Sequence, residues 1–340
     1  MARLAVMVIL SVGSGLSSGD ERSQVGICIG SPCSAAVVKE KSKKATIPAR
    51  EFLPNINRIV FLGDSITYDG RYVSYFETQW RLHLRERPIE IISCGLPSET
   101  VSGLSEDGHA GGKFPRPDLH ERLGRVLKKT RPDLVFACYG MNDGIYLPLS
   151  AERFARFKSG IVKLHEQVKA AGARIVHLTP PVFDALPIKG RVAPSDKVTA
   201  DRPYRDYDDV LEHYTGWLLK KCEQGWHVID FHGAMKAELR LKRRGNVNFT
   251  FAPDGVHPNE SGQMLLGKAL VDGIGAPFRG MTSRALAAKV FQLVHERRRL
   301  LTDAWLTEIG HKRPMAAGLP LETAQARAVE LEKRIEQLLR

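Results

Sequence analysis

Short apolar runs alternating with stretches of helical spacing constrain this chain more than anything else in its sequence. The runs lie at 59–62 (IVFL, ending in Gly63), 89–94, 134–139 (LVFACY), 175–178 (stopped by Pro180 and Pro181) and 228–231. Between them Val73, Phe76, Trp80 and Leu84 recur at helical spacing, as do Leu119, Leu123, Val126 and Leu127. So do Phe154, Phe157, Ile161, Leu164 and Val168, and then Val210, Leu211, Tyr214, Trp217 and Leu218. A final core helix is expected from about Asn259 to Ile274. Continuous apolar strands separated by amphipathic helices define an α/β protein whose parallel sheet is covered on both faces. In such sheets, binding residues collect at the carboxyl ends of the strands.

The chain has 340 residues, 43% hydrophobic and 26% charged, which fits one large folded domain with appendages and excludes a disordered chain. Met1, Ala2 and Arg3 precede the uncharged run 4–10 (LAVMVIL), and Ser/Gly-rich sequence follows to Gly19. This reads as an export signal over residues 1–19, too short for the roughly 20 residues of a membrane-spanning helix. Export to a periplasmic or extracellular location is expected, with no stable membrane anchor. Residues 20–50 are linker-like, 51–280 form the expected main domain, and 281–340 a helical extension. In that extension Leu286, Val290, Leu293 and Leu301 mark one helix. Ala324, Ala328, Leu331, Ile335 and Leu338 form a short heptad-like seam. It is too short to fix an oligomeric state, and packing on the parent domain is the favoured reading.

The net charge of +12 is shared equally by the stretches 1–50, 51–280 and 281–340. With no basic stripe interleaved with aromatics, no nucleic-acid partner is expected. Five cysteines, Cys28, Cys33, Cys94, Cys138 and Cys222, are widely scattered. Cys28 and Cys33 could close a small loop in the linker, while the others read as free thiols. No zinc-type spacing occurs, and neither metal nor cofactor is expected.

Chemistry gathers just past the strands. Asp64 and Ser65 follow the first run, Gly95 the second, and Asn142 and Asp143 the third. Ser65 sits in a tight strand-to-helix turn and needs a base to act as a nucleophile. His257 is the candidate base, with Asp254 three residues before it to hold its other ring nitrogen. The Ser65 and Gly95 backbone N–H groups and the Asn142 amide are candidate oxyanion donors. Each piece alone has a bland reading, such as a turn, a salt bridge or a loop glycine. Their order, each after a strand, is what carries weight.

FLGDSIT at 61–67, Cys94-Gly95, YGMND at 139–143 and DGVHPN at 254–259 resemble the four sequence blocks of the SGNH/GDSL hydrolase superfamily. The resemblance covers about residues 56–275. It implies a flavodoxin-like three-layer α/β/α sandwich with a parallel five-stranded sheet, and metal-free esterase or lipase chemistry. By position, Ser65 matches the nucleophile, Gly95 and Asn142 the oxyanion donors, His257 the base and Asp254 its partner. Cys94 departs from the Asn or Arg usual before the second-block glycine. Exported planctomycete-type members also look similar along the C-terminal extension.

Substrate choice is expected in the loops 96–117, 144–150 and 180–206. The first carries Ser98, Ser102, Ser105, His109 and Lys113, and the third Lys189, Arg191, Lys197, Arg202, Tyr204 and Arg205. Such polar, basic loops favour short acyl groups, acetyl above all, on a small-molecule or polysaccharide ester. The alternatives are a lysophospholipase or thioesterase, or a non-catalytic carbohydrate-binding protein on the same fold. An ordinary histidine base predicts loss of activity below a pH of roughly 6–7.

Overall fold

Strands that are apolar at consecutive positions must be covered on both sides, and the computed structural model sets five of them in one sheet. They are β1 (Arg58–Gly63), β2 (Glu90–Ser93), β3 (Leu134–Cys138), β4 (Arg174–Leu178) and β5 (His227–Ile229). All pairings are parallel, in the order β2-β1-β3-β4-β5. Gly63 lies opposite Cys138 in the register, so the segments leaving β1 and β3 emerge side by side. The structure describes residues 55–199, 201–275, 278 and 282–340. The expected export signal at 1–19, the linker at 20–50 with Cys28 and Cys33, and residues 51–54 lie outside them.

The helices are α1 (Ser65–Asp69), α2 (Arg71–His83), α3 (Leu119–Thr130), α4 (Ala151–Ala170), α5 (Tyr207–Lys220), α6 (Phe231–Gly245), α7 (Glu260–Gly273), α8 (Arg284–Ile309) and α9 (Leu321–Leu339). Helices α2, α6 and α7 pack together on one face of the sheet, and α3, α4 and α5 on the other. The result is a flavodoxin-like three-layer α/β/α sandwich. Phe61 of β1 stacks on Phe136 of β3 at 4.9 Å, with Tyr72 and Phe76 of α2 against the same ring. On the opposite face Phe157 stacks on Tyr214 at 4.4 Å. Side chains that favour helix starts cap as their chemistry dictates: Asp118, Ser150 and Asn259 each accept a backbone N–H of the following turn.

Strand ends differ from the sequence expectation by a residue at strands such as β2 and β3, and by more at β5. The run 228–231 does not continue as a strand, because the Asp230 carboxylate accepts the Gly233 N–H and starts α6 at Phe231. Only Phe231, His232, Met235 and Leu239 of that helix are buried.

The extension is a helical pair. Helix α8 runs along edge strand β2 and contacts both α2 and α3, and its Trp305 and Ile309 enter the main core. Helix α9 doubles back on it, with Ala324, Ala328, Leu331 and Ile335 buried. Leu331 and Ile335 join Val290, Leu293, Val294 and Leu82 in a second small core, so the seam has its partner within the chain. Among the described residues no helix is long and apolar enough to cross a membrane.

Candidate active site

From β1 the chain steps one way to β2 and the other way to β3, which opens a crevice at the carboxyl ends of β1 and β3. Ser65 sits there as the first residue of α1. Asp64 caps the helix by accepting the Ile66 N–H at 2.9 Å. Gly63 must be glycine, since a Cβ would lie 2.1 Å from Thr67 Oγ1 and 2.8 Å from Cys138 O. Burial pushes the Asp64 carboxyl up to about 7, with Asp143 and Glu99 adding to the rise against its hydrogen bond from Ile66 and the nearby His257.

His257 comes from the loop before α7, and its Nε2 lies 2.8 Å from Ser65 Oγ. Its Nδ1 lies 2.7 Å from Asp254 Oδ2, while Asp254 Oδ1 accepts the His257 and Val256 N–H groups at 2.7 and 2.9 Å. A carboxylate can only accept, so in the neutral imidazole Nδ1 carries the proton and Nε2 is left as the acceptor facing Ser65. Partial burial pushes the Asp254 carboxyl up, but the hydrogen bonds from His257 and Val256 outweigh it and hold the group well below the usual carboxylate range. The bond to Asp254 raises His257 above its ordinary value, against partial burial, helped by the charges of Asp254 and Asp64. Both side chains are 51% exposed.

The loop carrying this pair is tied down from behind. Gly255 adopts φ +85°, and a Cβ there would meet Ile188 at 2.5 Å. Asp184 donates its N–H to Gly255 O at 2.8 Å. Its carboxylate accepts both Arg243 Nη2, at 2.7 and 2.8 Å, and the Thr250 hydroxyl at 2.6 Å. Arg243 lies on α6, the helix absent from the sequence reading.

Asn142 is buried in the turn after β3. Its Oδ1 accepts from Arg116 Nη1 at 2.9 Å and the Tyr146 hydroxyl at 3.1 Å, and its Nδ2 donates to Glu99 O at 3.2 Å. That fixes the amide's orientation and leaves its second N–H for another acceptor. The Tyr207 hydroxyl holds the turn, donating to Met141 O and accepting the Gly144 N–H, both at 3.0 Å. It braces a strained segment, since Ile145 and Tyr146 sit at φ +47° and +56°. Asp143 faces away: it accepts the Val101 and Ser102 N–H groups at 2.9 and 2.8 Å, anchoring the first expected substrate loop.

Gly95 packs so closely on α1 that a Cβ would lie 2.4 Å from Tyr68 N and 2.6 Å from Thr67 C. The preceding carbonyl, Cys94 O, accepts Arg122 Nη2 at 2.7 Å. Cys94 O and Gly95 N belong to one planar peptide, so fixing the carbonyl aims the Gly95 N–H the opposite way. Arg122 is itself held by a two-pronged pair with Glu99, at 2.6 and 2.7 Å, and Tyr139 donates to Glu99 at 2.6 Å. This buried network reaches two of the three candidate oxyanion donors, Gly95 and Asn142, and the sequence reading missed it. The available signal was Arg122 on the apolar stripe of α3, between Leu119 and Val126. Burial pushes the Cys94 thiol up to about 12, so it stays protonated. Cys94, Cys138 and Cys222 are free. Among the described residues no group of three His, Cys, Asp or Glu side chains could hold a metal ion.

A serine hydroxyl on an imidazole with a carboxylate behind it defines, on this sandwich, a serine hydrolase acting on esters. The chain belongs to the GDSL-like lipase/acylhydrolase family, whose model matches residues 61–265. No curated protein matches the sequence. Among solved structures it is similar to BT4096, a gut microbial diltiazem-metabolizing enzyme, at 19% identity and a TM-score of 0.51 over 64% of this chain. The chain spans about half the length of that protein, 47%. It is also similar to Axe2, an acetylxylan esterase from Geobacillus stearothermophilus, at 20% identity. A catalytic mutant of that esterase gives a TM-score of 0.49, covering 66% of this chain and 97% of that one. These likenesses concern the fold.

Proposed function

We propose that the protein hydrolyses short-chain esters, acetyl esters of a polar carbohydrate in particular, through an acyl-serine intermediate on Ser65. The observation that carries this reading is the 2.8 Å contact of Ser65 Oγ with His257 Nε2, backed by Asp254 at 2.7 Å. As Oγ bonds to the ester carbonyl carbon, its proton passes to Nε2 and Asp254 stabilises the imidazolium. The carbonyl oxygen takes the negative charge and is met by the Ser65 N–H, the Gly95 N–H and Asn142 Nδ2. The C–O bond to the alcohol then breaks, the leaving oxygen taking the proton from Nε2. Water activated by the same nitrogen attacks the acyl-serine and releases the acid.

The surroundings support a short acyl group. Arg116 and Tyr146 flank Asn142, Glu106 pairs with both Arg116 and His109, and Lys189, Arg191, Lys197, Arg202 and Arg205 are exposed on the third loop. A long acyl chain calls for an extended apolar groove. With the leader-like residues 1–19 read as an export signal, the substrate lies outside the cytoplasm. The test is hydrolysis of nitrophenyl esters from acetate to octanoate by the full chain, beside Ser65→Ala. Activity that favours acetate and vanishes in the variant is the expected result. Faster octanoate hydrolysis overturns the acyl preference, and undiminished activity of Ser65→Ala overturns the mechanism.

A further inference from the structure

Helix α1 is little more than a single turn, its ends closed by Tyr68 N–H to Asp64 O at 2.9 Å and Gly70 N–H to Ile66 O at 3.0 Å. One turn of helix is unstable alone, because nucleation fixes several residues for each hydrogen bond gained. Its position, and that of Ser65 at its start, must be imposed by neighbours. Four consecutive carbonyls at its C-terminal end accept side-chain donors. Ile66 O takes Gln263 Nε2 at 3.2 Å, and Thr67 O takes the Ser93 hydroxyl at 3.3 Å. Tyr68 O takes Arg299 Nη1 at 2.9 Å, and Asp69 O takes Arg298 Nη2. The last two donors come from α8, in the extension beyond the family match.

Arg298 is 2% exposed, and among the described residues no carboxylate lies within ion-pair distance of it. Its other partners are neutral: Ser74 Oγ at 2.8 Å, His295 Nδ1 at 3.3 Å and Thr302 Oγ1 at 3.4 Å. Burying a cation without an anion costs stability, which makes Arg298 a poor choice for holding a helix pair together. It does suit the C-terminal end of α1, where the helix dipole favours positive charge. Gly70 makes room for it: at φ +58° a Cβ would stand 2.7 Å from Arg298 Nη1. Arg299 grips the same turn from the other side. Its guanidinium lies 4.2 Å above the Tyr68 ring, and Nη2 donates to the Tyr68 hydroxyl at 3.0 Å, which donates in turn to Asp303 at 2.9 Å.

We propose that α8 is a positioning element of the active site, with Arg298 and Arg299 clamping the C-terminal end of α1 and so setting Ser65 against His257. The proposal rests on Ser65 being the nucleophile. Neither arginine touches substrate; they act through the backbone of the helix that carries the hydroxyl. A displacement of about 1 Å at a reacting atom can cost on the order of a hundredfold in rate, so the effect belongs in kcat.

The experiment compares the full chain with Arg298→Met, Arg298→Lys, Arg299→Met and Ser65→Ala. It measures kcat and KM on nitrophenyl acetate, the rate of covalent labelling by a fluorophosphonate, and the melting transition. The expected result is a fall in kcat of about 10- to 100-fold for Arg298→Met. Labelling slows in parallel, KM changes less than twofold and the melting transition is cooperative. Arg298→Lys recovers part of the loss, because an ammonium can still reach Asp69 O. Arg299→Met, at a half-exposed site, loses about three- to tenfold. Wild-type kcat and labelling in folded Arg298→Met overturn the proposal. So do wild-type values in Arg299→Met if Arg298→Met does not fold. Labelling that persists in Ser65→Ala removes the nucleophile assignment itself, an outcome separate from the failure of α8.

Discussion

Asp254→Asn isolates the carboxylate behind His257 with the least change of shape. In the native loop, Asp254 accepts three hydrogen bonds, two from backbone N–H groups through Oδ1 and one from Nδ1 through Oδ2. Asparagine can keep the first two through its carbonyl oxygen, but its amide nitrogen then faces Nδ1 as a donor. The imidazole must accept there and carry its proton on Nε2, which presents a donor to Ser65 Oγ and removes the base. A second loss is electrostatic. Opposite charges about 4 Å apart are worth ~4 kcal/mol at an effective dielectric of about 20 and ~1 kcal/mol in bulk water. With both groups half exposed, roughly 1–3 kcal/mol of imidazolium stabilisation is lost, on the order of 10- to 100-fold in rate. Adding the tautomer penalty, kcat should fall about 10²- to 10³-fold, short of the ~10⁴-fold found where the carboxylate is buried. The assay is kcat and KM on nitrophenyl acetate from pH 5 to 9, with the melting transition as a check of folding. His257 should also titrate lower once Asp254 no longer holds it up. A folded variant that keeps more than a tenth of wild-type kcat, with an unmoved acid limb, would refute the reasoning.

In the wild type, Asp254 raises His257 above 6.5, so the acid limb of kcat/KM should lie above that value; a midpoint at or below 6.5 contradicts it. The stability linked to His257 is fully present below its unfolded value of 6.5 and fades as pH rises through the higher folded value. That linked to Asp254 is present above 3.8 and fades as pH falls through the depressed folded value. Melting curves across both ranges read the two signs. Gly95→Ala drives a methyl into the backbone of α1, which should cost about 1–3 kcal/mol of stability and at least tenfold in kcat. A variant with wild-type melting and turnover would show that α1 can shift without consequence.

The buried strands were legible because 59–62, 134–139 and 175–178 are apolar at nearly every position, a pattern that only a doubly covered strand needs. Ser65, Gly95 and Asn142 stood out as candidates because each follows a strand, and Asp254 and His257 because a carboxylate stands three residues before a histidine; the structure brings Ser65, Asp254 and His257 into one hydrogen-bonded chain. Helix α6 was not legible, because its apolar stripe is only Phe231, Met235 and Leu239 among basic residues, and the capping role of Asp230 shows only once β5 is known to end at Ile229. The Glu99–Arg122 pair escaped because its partners are separated by a loop whose path no periodicity describes. Arg298 escaped for a related reason. A triple-arginine run at 297–299 reads as solvated surface until Gly70 and Asp69 are seen on its other side.

The place of α8 along β2 bears on how the molecule is made. Synthesis runs from the N-terminus, so all five strands leave the ribosome before the helix that lies along the outermost one. Until then β2 offers unpaired backbone donors and acceptors to any extended chain nearby, the usual template for strand-to-strand association. The nucleophile turn is complete at the same moment but lacks its two arginines. Closure of the sheet edge and arming of the serine therefore await one late segment, and an unfinished chain is both the stickiest and the least reactive form of the protein.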